Sequence, residues 1–211
     1  AARARLLHTA AGVLAESTPF PAARMLWLAR LERAAQHFLT QDARHGGAAV
    51  MLETPGKLRL DPPGFTLHGK PDRIDALPDG RLHLIDYKTG TPPTPKQQDS
   101  YEKQLRLTAL MVERGGFEAL GPREVASFSY IGLGSGEKVV ETDRTKIDLD
   151  KEWERFLRLI TLYSRRATGY TARRAVFADR IEGDYDHLAR YGEWQMTDRA
   201  EPARVGEDDA T

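Results

Sequence analysis

The 211-residue chain contains no cysteine. This absence excludes disulfide bonds, cysteine-ligated zinc and cysteine-bound iron–sulfur clusters. No segment approaches the ~20 consecutive apolar residues that a membrane-spanning helix needs, and no signal peptide is apparent. We therefore expect a cytoplasmic protein with no membrane partner.

An excess of either charge is also missing. Lysine plus arginine and aspartate plus glutamate both number 31, so the formal net charge is +0. Domains dedicated to binding nucleic acid are usually basic overall. Affinity for nucleic acid would therefore have to come from a local patch, from a bound metal, or from a partner that delivers the strand.

The chain begins without methionine and opens directly in a helical pattern, which we interpret as the start of an excised fragment. Hydrophobic periodicity predicts helices over residues 1–16, 22–44, 97–114 and 150–168. It predicts strands over residues 50–60, 65–77, 82–87, 125–133 and 138–142. We expect one domain over residues 1–198, followed by a disordered acidic tail over residues 199–211.

The most informative segment is the hairpin predicted over residues 69–90. A three-residue loop, Pro78-Asp79-Gly80, suits a type I turn closed by a left-handed glycine. This loop sets Asp72 opposite Asp86, with Cβ atoms roughly 4.5–5.5 Å apart. A two-residue loop would instead place the two aspartates on opposite faces of the hairpin, because a slip of one residue reverses every side chain.

Lys88 lies two residues beyond Asp86 and shares its face. The three residues could be solvated surface groups, but directly opposed carboxylates are destabilising unless something compensates them. Two acids and a lysine on one face predict a divalent-cation site of the kind that a phosphodiesterase needs. Asp75 falls on the opposite face, beside Arg73 and His83, and we interpret it as a structural ion-pair partner.

These residues carry a family resemblance. Pro71-Asp72, followed after thirteen residues by Asp86-Tyr87-Lys88, resembles the PD-(D/E)xK nuclease signature. Residues 69–75 and 85–90 resemble its RecB-type branch. Residues 26–33 and 183–190 are similar to the C-terminal nuclease region of AddB-type subunits, which belong to helicase–nucleases that resect DNA ends. The resemblance covers about residues 4–194 and implies an α/β restriction-endonuclease-like core, with a central mixed sheet flanked by helices.

Further site residues are implied by this resemblance. His8 lies where the family has a metal-binding histidine, although the usual glycine four residues earlier is Ala4. Gln104 occupies the position of a family glutamine whose tyrosine partner is replaced here by Thr108. Glu53 corresponds to a frequent family acid. Each also has an ordinary interpretation, as a surface or packed histidine, a helix-surface glutamine and an exposed strand residue, and we interpret Arg106 as a solvated cation.

Two cofactors are not expected. AddB-type relatives can carry four cysteines around an iron–sulfur cluster, which this chain cannot bind because it has no cysteine. The glycines at 132, 134 and 136 superficially resemble a phosphate-binding loop. They lack the Gly-Lys-Ser/Thr ending and join two predicted strands, so no nucleotide site is predicted.

The resemblance implies metal-dependent hydrolysis of DNA. Asp72 and Asp86 would hold Mg²⁺ or Mn²⁺, with the Tyr87 backbone carbonyl and His8 completing the coordination shell. Lys88 would position or deprotonate the nucleophile, and Gln104 would hold a DNA phosphate or orient the lysine. The implied substrate is a single strand from a duplex end, and the implied partners are an AddA-type helicase subunit and the rest of an AddB-like chain. Two alternatives stay open: an inactive nuclease-fold module that binds DNA or a helicase, and a stand-alone exonuclease of the RecB branch.

Overall fold

The computed structural model describes residues 1–44, 46–134, 138–169, 185–195 and 197–198. Its α-helices are α1 (Ala2–Ser17), α2 (Pro21–Asp42), α3 (Pro95–Ser100), α4 (Gln104–Glu113) and α5 (Leu149–Tyr163). Its strands are β1 (Ala48–Leu52), β2 (Gly56–Leu60), β3 (Phe65–Gly69), β4 (Arg73–Ala76), β5 (Leu82–Lys88), β6 (Val125–Gly132) and β7 (Val139–Asp143).

Five strands form one mixed sheet in the order β1-β4-β5-β6-β7, and β2 pairs with β3 in a separate two-stranded sheet. Only β5 and β6 run parallel to each other among these five strands. Their connection contains α3 and α4, the long crossover that parallel neighbours require. The predicted α/β class, with a central mixed sheet flanked by helices, is confirmed.

The turn between β4 and β5 has the predicted three-residue loop. The backbone N–H of Leu77 donates to the Arg81 carbonyl at 2.8 Å, and the N–H of Gly80 donates to the Leu77 carbonyl at 2.9 Å. Gly80 has a φ of 84°, a backbone conformation that costs free energy in residues with a side chain. Loop length and turn chemistry therefore fix how the two strands pair.

The ladder that follows runs without a shift as far as Arg73, which pairs with Ile85. One step further along the same register places Asp72 directly opposite Asp86. The predicted register of this hairpin is confirmed. Both aspartates lie at the end of the hairpin that is remote from the turn.

One face of the sheet carries the main apolar core. Alternate residues of its central strands pack there against α4 and the start of α5, and the core includes Ile74, Leu82, Leu84, Leu105, Ala109, Leu110, Phe128, Tyr130 and Leu149. Side chains alternate between faces along a strand, so Asp72 and Asp86 share this face with the core. They stand at its rim, beside α4.

The opposite face is covered by α2, as the contact between the rings of Phe38 and Tyr87 shows, with centroids 5.7 Å apart. Here Arg73 pairs with Asp42 on α2 and binds Asp75 in two contacts of 2.6 and 2.8 Å. Asp75 is only 3% exposed and stands opposite His83 in the ladder. The predicted pairing of Asp75 with Arg73 is confirmed.

Three predicted elements are interrupted in the structure, and the helix predicted over residues 150–168 ends at Tyr163. The strand predicted over residues 50–60 is divided into β1 and β2, because Glu53 takes a positive φ of 47° and Pro55 follows it. The strand predicted over residues 65–77 is interrupted between β3 and β4. The helix predicted over residues 97–114 is two helices, the first begun by a capping box between Thr94 and Gln97.

The chain divides into two compact units, Ala1–Glu154 and Arg155–Thr211. The first contains the sheet and the residues of the candidate site. In the second, Tyr191 and Trp194 make an edge-to-face contact with ring centroids 5.7 Å apart. The tail predicted over residues 199–211 lies outside the described residues, and the single domain over residues 1–198 stays a prediction.

Among the helices that the structure describes, none combines the length and the apolar character needed to cross a bilayer.

The ion pair of Asp75 with Arg73 yields a stability prediction. Asp75→Asn removes a charge-assisted pair from a buried site, while Arg73 keeps Asp42 as a partner, so we expect a loss of about 2 kcal/mol in the free energy of unfolding. Urea denaturation followed by circular dichroism measures it. The control is Arg59→Ala, which breaks an exposed ion pair with Asp61 and should change stability little. Equal stabilities for Asp75→Asn and wild type would contradict the assignment.

Candidate active site

Asp72 directly precedes β4 and is tied to both neighbouring strands. Its carboxylate Oδ2 accepts a hydrogen bond of 2.8 Å from the backbone N–H of Tyr87. Its backbone carbonyl accepts a bond of 3.1 Å from the N–H of Glu53, which follows β1. The side chain is therefore held across the hairpin toward Asp86.

Asp86 is 3% exposed and lies on β5 beside Tyr130 of β6. Burial raises the pKa of its carboxyl, and the negative charges of Asp72 and Glu102 raise it further, while Lys88 acts in the opposite direction. Keeping Asp86 ionised in the metal-free protein therefore costs free energy. A cation at this carboxylate would offset that cost.

Lys88 and Gln104 complete a closed arrangement around Asp86. Nζ of Lys88 lies 2.7 Å from Oδ2 of Asp86 and donates a hydrogen bond of 2.9 Å to Oε1 of Gln104. Nε2 of Gln104 donates to Oδ1 of Asp86 at 2.5 Å. The single amide therefore orients both the acid and the lysine.

Gln104 reaches this position because α4 begins there. The hydroxyl of Tyr130 accepts a hydrogen bond of 3.2 Å from the N–H of Leu105, one of the free donors in the first turn of the helix. The Tyr130 ring centroid also lies 5.5 Å from Nζ of Lys88, in a cation–π contact. Burial raises the pKa of Tyr130, so its hydroxyl stays protonated. Tyr130 thus anchors the helix and contacts the lysine.

A buried ion-pair network holds α4 from the other side. Arg106 donates to Glu152 of α5 at 3.0 Å and also binds Asp99 of α3. Lys103 reaches the same Glu152 at 2.9 Å. The expectation that Arg106 is a solvated cation is wrong, since it is buried at the junction of three helices.

Among the described residues, the side chains of His8 and Glu53 make no contact with this arrangement, although the Glu53 N–H binds the Asp72 carbonyl. His8 is exposed on α1. Glu53 is exposed in the turn after β1, where it forms an ion pair with Lys70. In the part of the chain that the structure describes, no three histidine, aspartate or glutamate side chains are grouped to hold a metal. The structure therefore brings together Asp72, Asp86, Lys88 and Gln104, and the role of His8 stays a prediction.

The donor set fits a hard divalent cation. Asp72 and Asp86 supply carboxylate oxygens, and the Tyr87 carbonyl lies between Asp86 and Lys88 in the chain. Oδ2 of Asp86 is buried with the Lys88 ammonium group 2.7 Å away, and a carboxylate oxygen with one such neighbour retains acceptor capacity. Mg²⁺ in proteins is commonly held by one or two carboxylates and keeps several waters. These two aspartates meet that requirement.

The family follows from comparison of the whole chain. The profile of the PD-(D/E)XK nuclease superfamily matches residues 1–190. The chain belongs to this superfamily. Membership of the PD-(D/E)XK superfamily indicates a nuclease, that is, a hydrolase of phosphodiester bonds.

Individual relatives are uncharacterized proteins of Rickettsia. That of Rickettsia bellii is 27% identical over 158 residues, which cover 65% of this chain and 19% of the relative. That of Rickettsia felis is 30% identical over 113 residues, which cover 51% of this chain and 13% of the relative. That of Rickettsia conorii is 32% identical over 96 residues, covering 43% and 12%. The chain spans less than a fifth of the length of these curated relatives.

Sequence reasoning missed Tyr130 and the contribution of Glu102. Tyr130 stands in an apolar stretch that predicts only a buried strand. Its position beside Asp86 depends on the parallel register of β5 and β6, which no tight turn determines. Glu102 lies in the break between α3 and α4, inside a segment that was predicted to be continuous helix. The effect of Glu102 on the pKa of Asp86 can be recognised only when the break between α3 and α4 is known.

The raised pKa of Asp86 yields a pH-dependent prediction for the metal-free protein. A carboxyl whose folded pKa lies above its unfolded value stabilises the fold while protonated, and this contribution is lost as pH rises through the folded pKa. Asp86→Asn mimics the protonated acid, so in EDTA at neutral pH we expect it to unfold at a higher urea concentration than wild type. The difference should shrink as pH falls below the ordinary aspartate range. A less stable variant at neutral pH would refute this electrostatic account.

Proposed function

We propose that this chain is a Mg²⁺- or Mn²⁺-dependent deoxyribonuclease module that cleaves a single DNA strand. The observation that carries the proposal is the closed arrangement of Asp86, Gln104 and Lys88 beside Asp72. Phosphodiester hydrolysis needs ligands for a metal and a positive charge near the phosphate. The two aspartates supply the ligands, and the Lys88 ammonium group supplies the charge.

The chain's own residues have separable roles in this proposal. Asp72 and Asp86 would hold the metal together with the Tyr87 carbonyl, and His8 is the candidate for a further ligand. When bound, the metal supplies a water of lowered pKa and polarises the phosphoryl oxygen. Lys88 places its ammonium group where negative charge develops on the phosphate. To take the proton from the attacking water instead, it would first have to lose its own proton.

Gln104 is a positioning residue. Its Oε1 restrains the Lys88 ammonium and its Nε2 restrains the Asp86 carboxylate, so the lysine is presented in one orientation. Preorganised charge is effective because no rearrangement is needed during the reaction. Replacing Gln104 should therefore lower kcat more than it changes KM.

We further propose that the module belongs to an AddB-like helicase–nuclease that processes duplex DNA ends for recombinational repair, with an AddA-type subunit as partner. Two observations support this. The chain spans less than a fifth of its relatives, so most of each relative lies outside the matched region. The net charge is zero, which favours delivery of the strand by another component. An inactive module is disfavoured because the acids, the lysine and the amide are all in place.

Cleavage of end-labelled single-stranded DNA in Mn²⁺ tests the proposed activity. We expect Asp72→Asn, Asp86→Ala and Lys88→Ala each to lower the rate by roughly 10²–10³-fold or more, because each removes preorganised charge. Asp75→Asn should retain substantial activity, since its side chain is on the other face of the hairpin. It is the matched control, being an aspartate three residues from Asp72.

Cleavage by Asp86→Ala at the wild-type rate would refute the site. A loss in Asp75→Asn as large as that in Asp72→Asn would refute the assignment of faces. The same assay, with excess unlabelled DNA added together with the metal, measures processivity. Complete degradation of each bound strand by this chain alone would argue against its dependence on a motor.

A further inference from the structure

We propose that a groove between α2 and the ends of β5 and β6 is the track that binds the single-stranded substrate, with Trp27 stacking on a base and Arg33 binding phosphate. The groove has a volume of about 1010 Å³ and is walled by α2 and floored by the loops that follow the two strands. This inference rests on the proposed nuclease function and specifies how that site holds its substrate.

The floor of the groove is continuous with the candidate active site. Thr89 and Gly90, which line the groove, directly follow Lys88. The carbonyl of Lys88 accepts a hydrogen bond of 2.8 Å from the N–H of Leu133, another lining residue. A Cβ on Gly134 would lie 2.3 Å from the Thr89 carbonyl oxygen, so the two loops are in close contact. A strand in this groove would therefore pass beside the backbone of Lys88, whose side chain lies with Asp86 on the other face of the sheet.

The wall of the groove combines two arginines and a tryptophan with the apolar Leu31 and Ala34. Arg30, Arg33 and Trp27 line it from α2, and the described lining residues include no aspartate or glutamate. The Arg30 guanidinium lies 5.0 Å from the Trp27 ring centroid, and Trp27 is 46% exposed. Among the described residues, neither Arg30 nor Arg33 forms an ion pair with a carboxylate, whereas Arg73 and Arg106 do. In a chain of zero net charge, such cations are suited to a polyanion.

The exposed aromatic ring distinguishes a single strand from a duplex. Proteins that bind single strands combine a cationic groove with aromatic side chains on which unstacked bases lie. A duplex has its bases already stacked and would offer the groove only phosphates. The floor leaves room for the strand, since a Cβ added to Gly90 would meet no atom within 4 Å. The chemistry of both wall and floor therefore favours single-stranded DNA.

The test compares two labelled strands of equal length, oligo(dT) and its abasic counterpart, by fluorescence anisotropy in EDTA, where hydrolysis does not interfere. We expect Trp27→Ala to weaken oligo(dT) binding by about tenfold, as for loss of one stacked base, and to leave the abasic strand bound as before. Trp27→Phe should restore most of the oligo(dT) affinity, which also controls for misfolding.

Arg33→Ala should weaken the binding of both strands. It should also reduce the slope of log affinity against log salt by ~0.7, the value for one phosphate contact on a single strand. The matched control is Lys57→Ala, which removes an exposed charge on β2, outside the groove, and should alter neither strand's binding. Wild-type affinity for oligo(dT) in both Trp27→Ala and Arg33→Ala would overturn the proposal, as would equal losses for the two strands in Trp27→Ala. Wild-type cleavage measured in parallel with Mn²⁺ reports on the proposed nuclease function alone, so the two failures are distinguishable.

Discussion

Two aspartates held directly opposite each other repel, and the candidate site is built around that repulsion. The three-residue turn and the unshifted ladder give β4 and β5 no freedom to separate Asp72 from Asp86. The surrounding groups partly offset the two negative charges. The Tyr87 N–H donates to the Asp72 carboxylate, and Lys88 and Gln104 contact the Asp86 carboxylate. Burial still raises the pKa of Asp86. The compensation is therefore incomplete without a cation.

The position of α4 depends on the same constraint. Gln104 can bridge Asp86 and Lys88 only because the helix starts at that residue, and the start is held by the Tyr130 hydroxyl and by the pairing of Arg106 with Glu152. The apolar core between α4 and the sheet then keeps the amide at the rim. Residues of β6, α4 and α5 that surround the candidate site thus determine the geometry of one acid and one lysine.

The sequence predicted best what local geometry determines. Pro78-Asp79-Gly80 specifies its turn, and the turn specifies the pairing of the hairpin, so Asp72, Asp86 and Lys88 could be placed on one face and Asp75 on the other. The break before Gln104 has no proline or glycine to mark it, so the helix was predicted to be continuous. The parallel register that brings Tyr130 beside Asp86 depends on tertiary packing. Neither feature could be derived from periodicity.

The groove along α2 and the face that carries the candidate site lie on different sides of the sheet, but they meet where β5 and β6 end. Parallel strands bring their carboxyl ends to one edge, and ligands of α/β sheets commonly bind at that edge. Here the edge carries Lys88 on one side and Thr89 and Gly90 on the other. A strand lying along α2 would thus have to pass the ends of β5 and β6 to reach the Lys88 side chain.

The central claim is that Asp72 and Asp86 together bind a divalent metal, and Mn²⁺ binding measured by electron paramagnetic resonance tests it most directly. The account predicts that wild type and Asp75→Asn bind Mn²⁺ with similar affinity, and that Asp72→Asn and Asp86→Asn bind it at least tenfold more weakly. Undiminished Mn²⁺ binding by Asp72→Asn and Asp86→Asn would contradict the account.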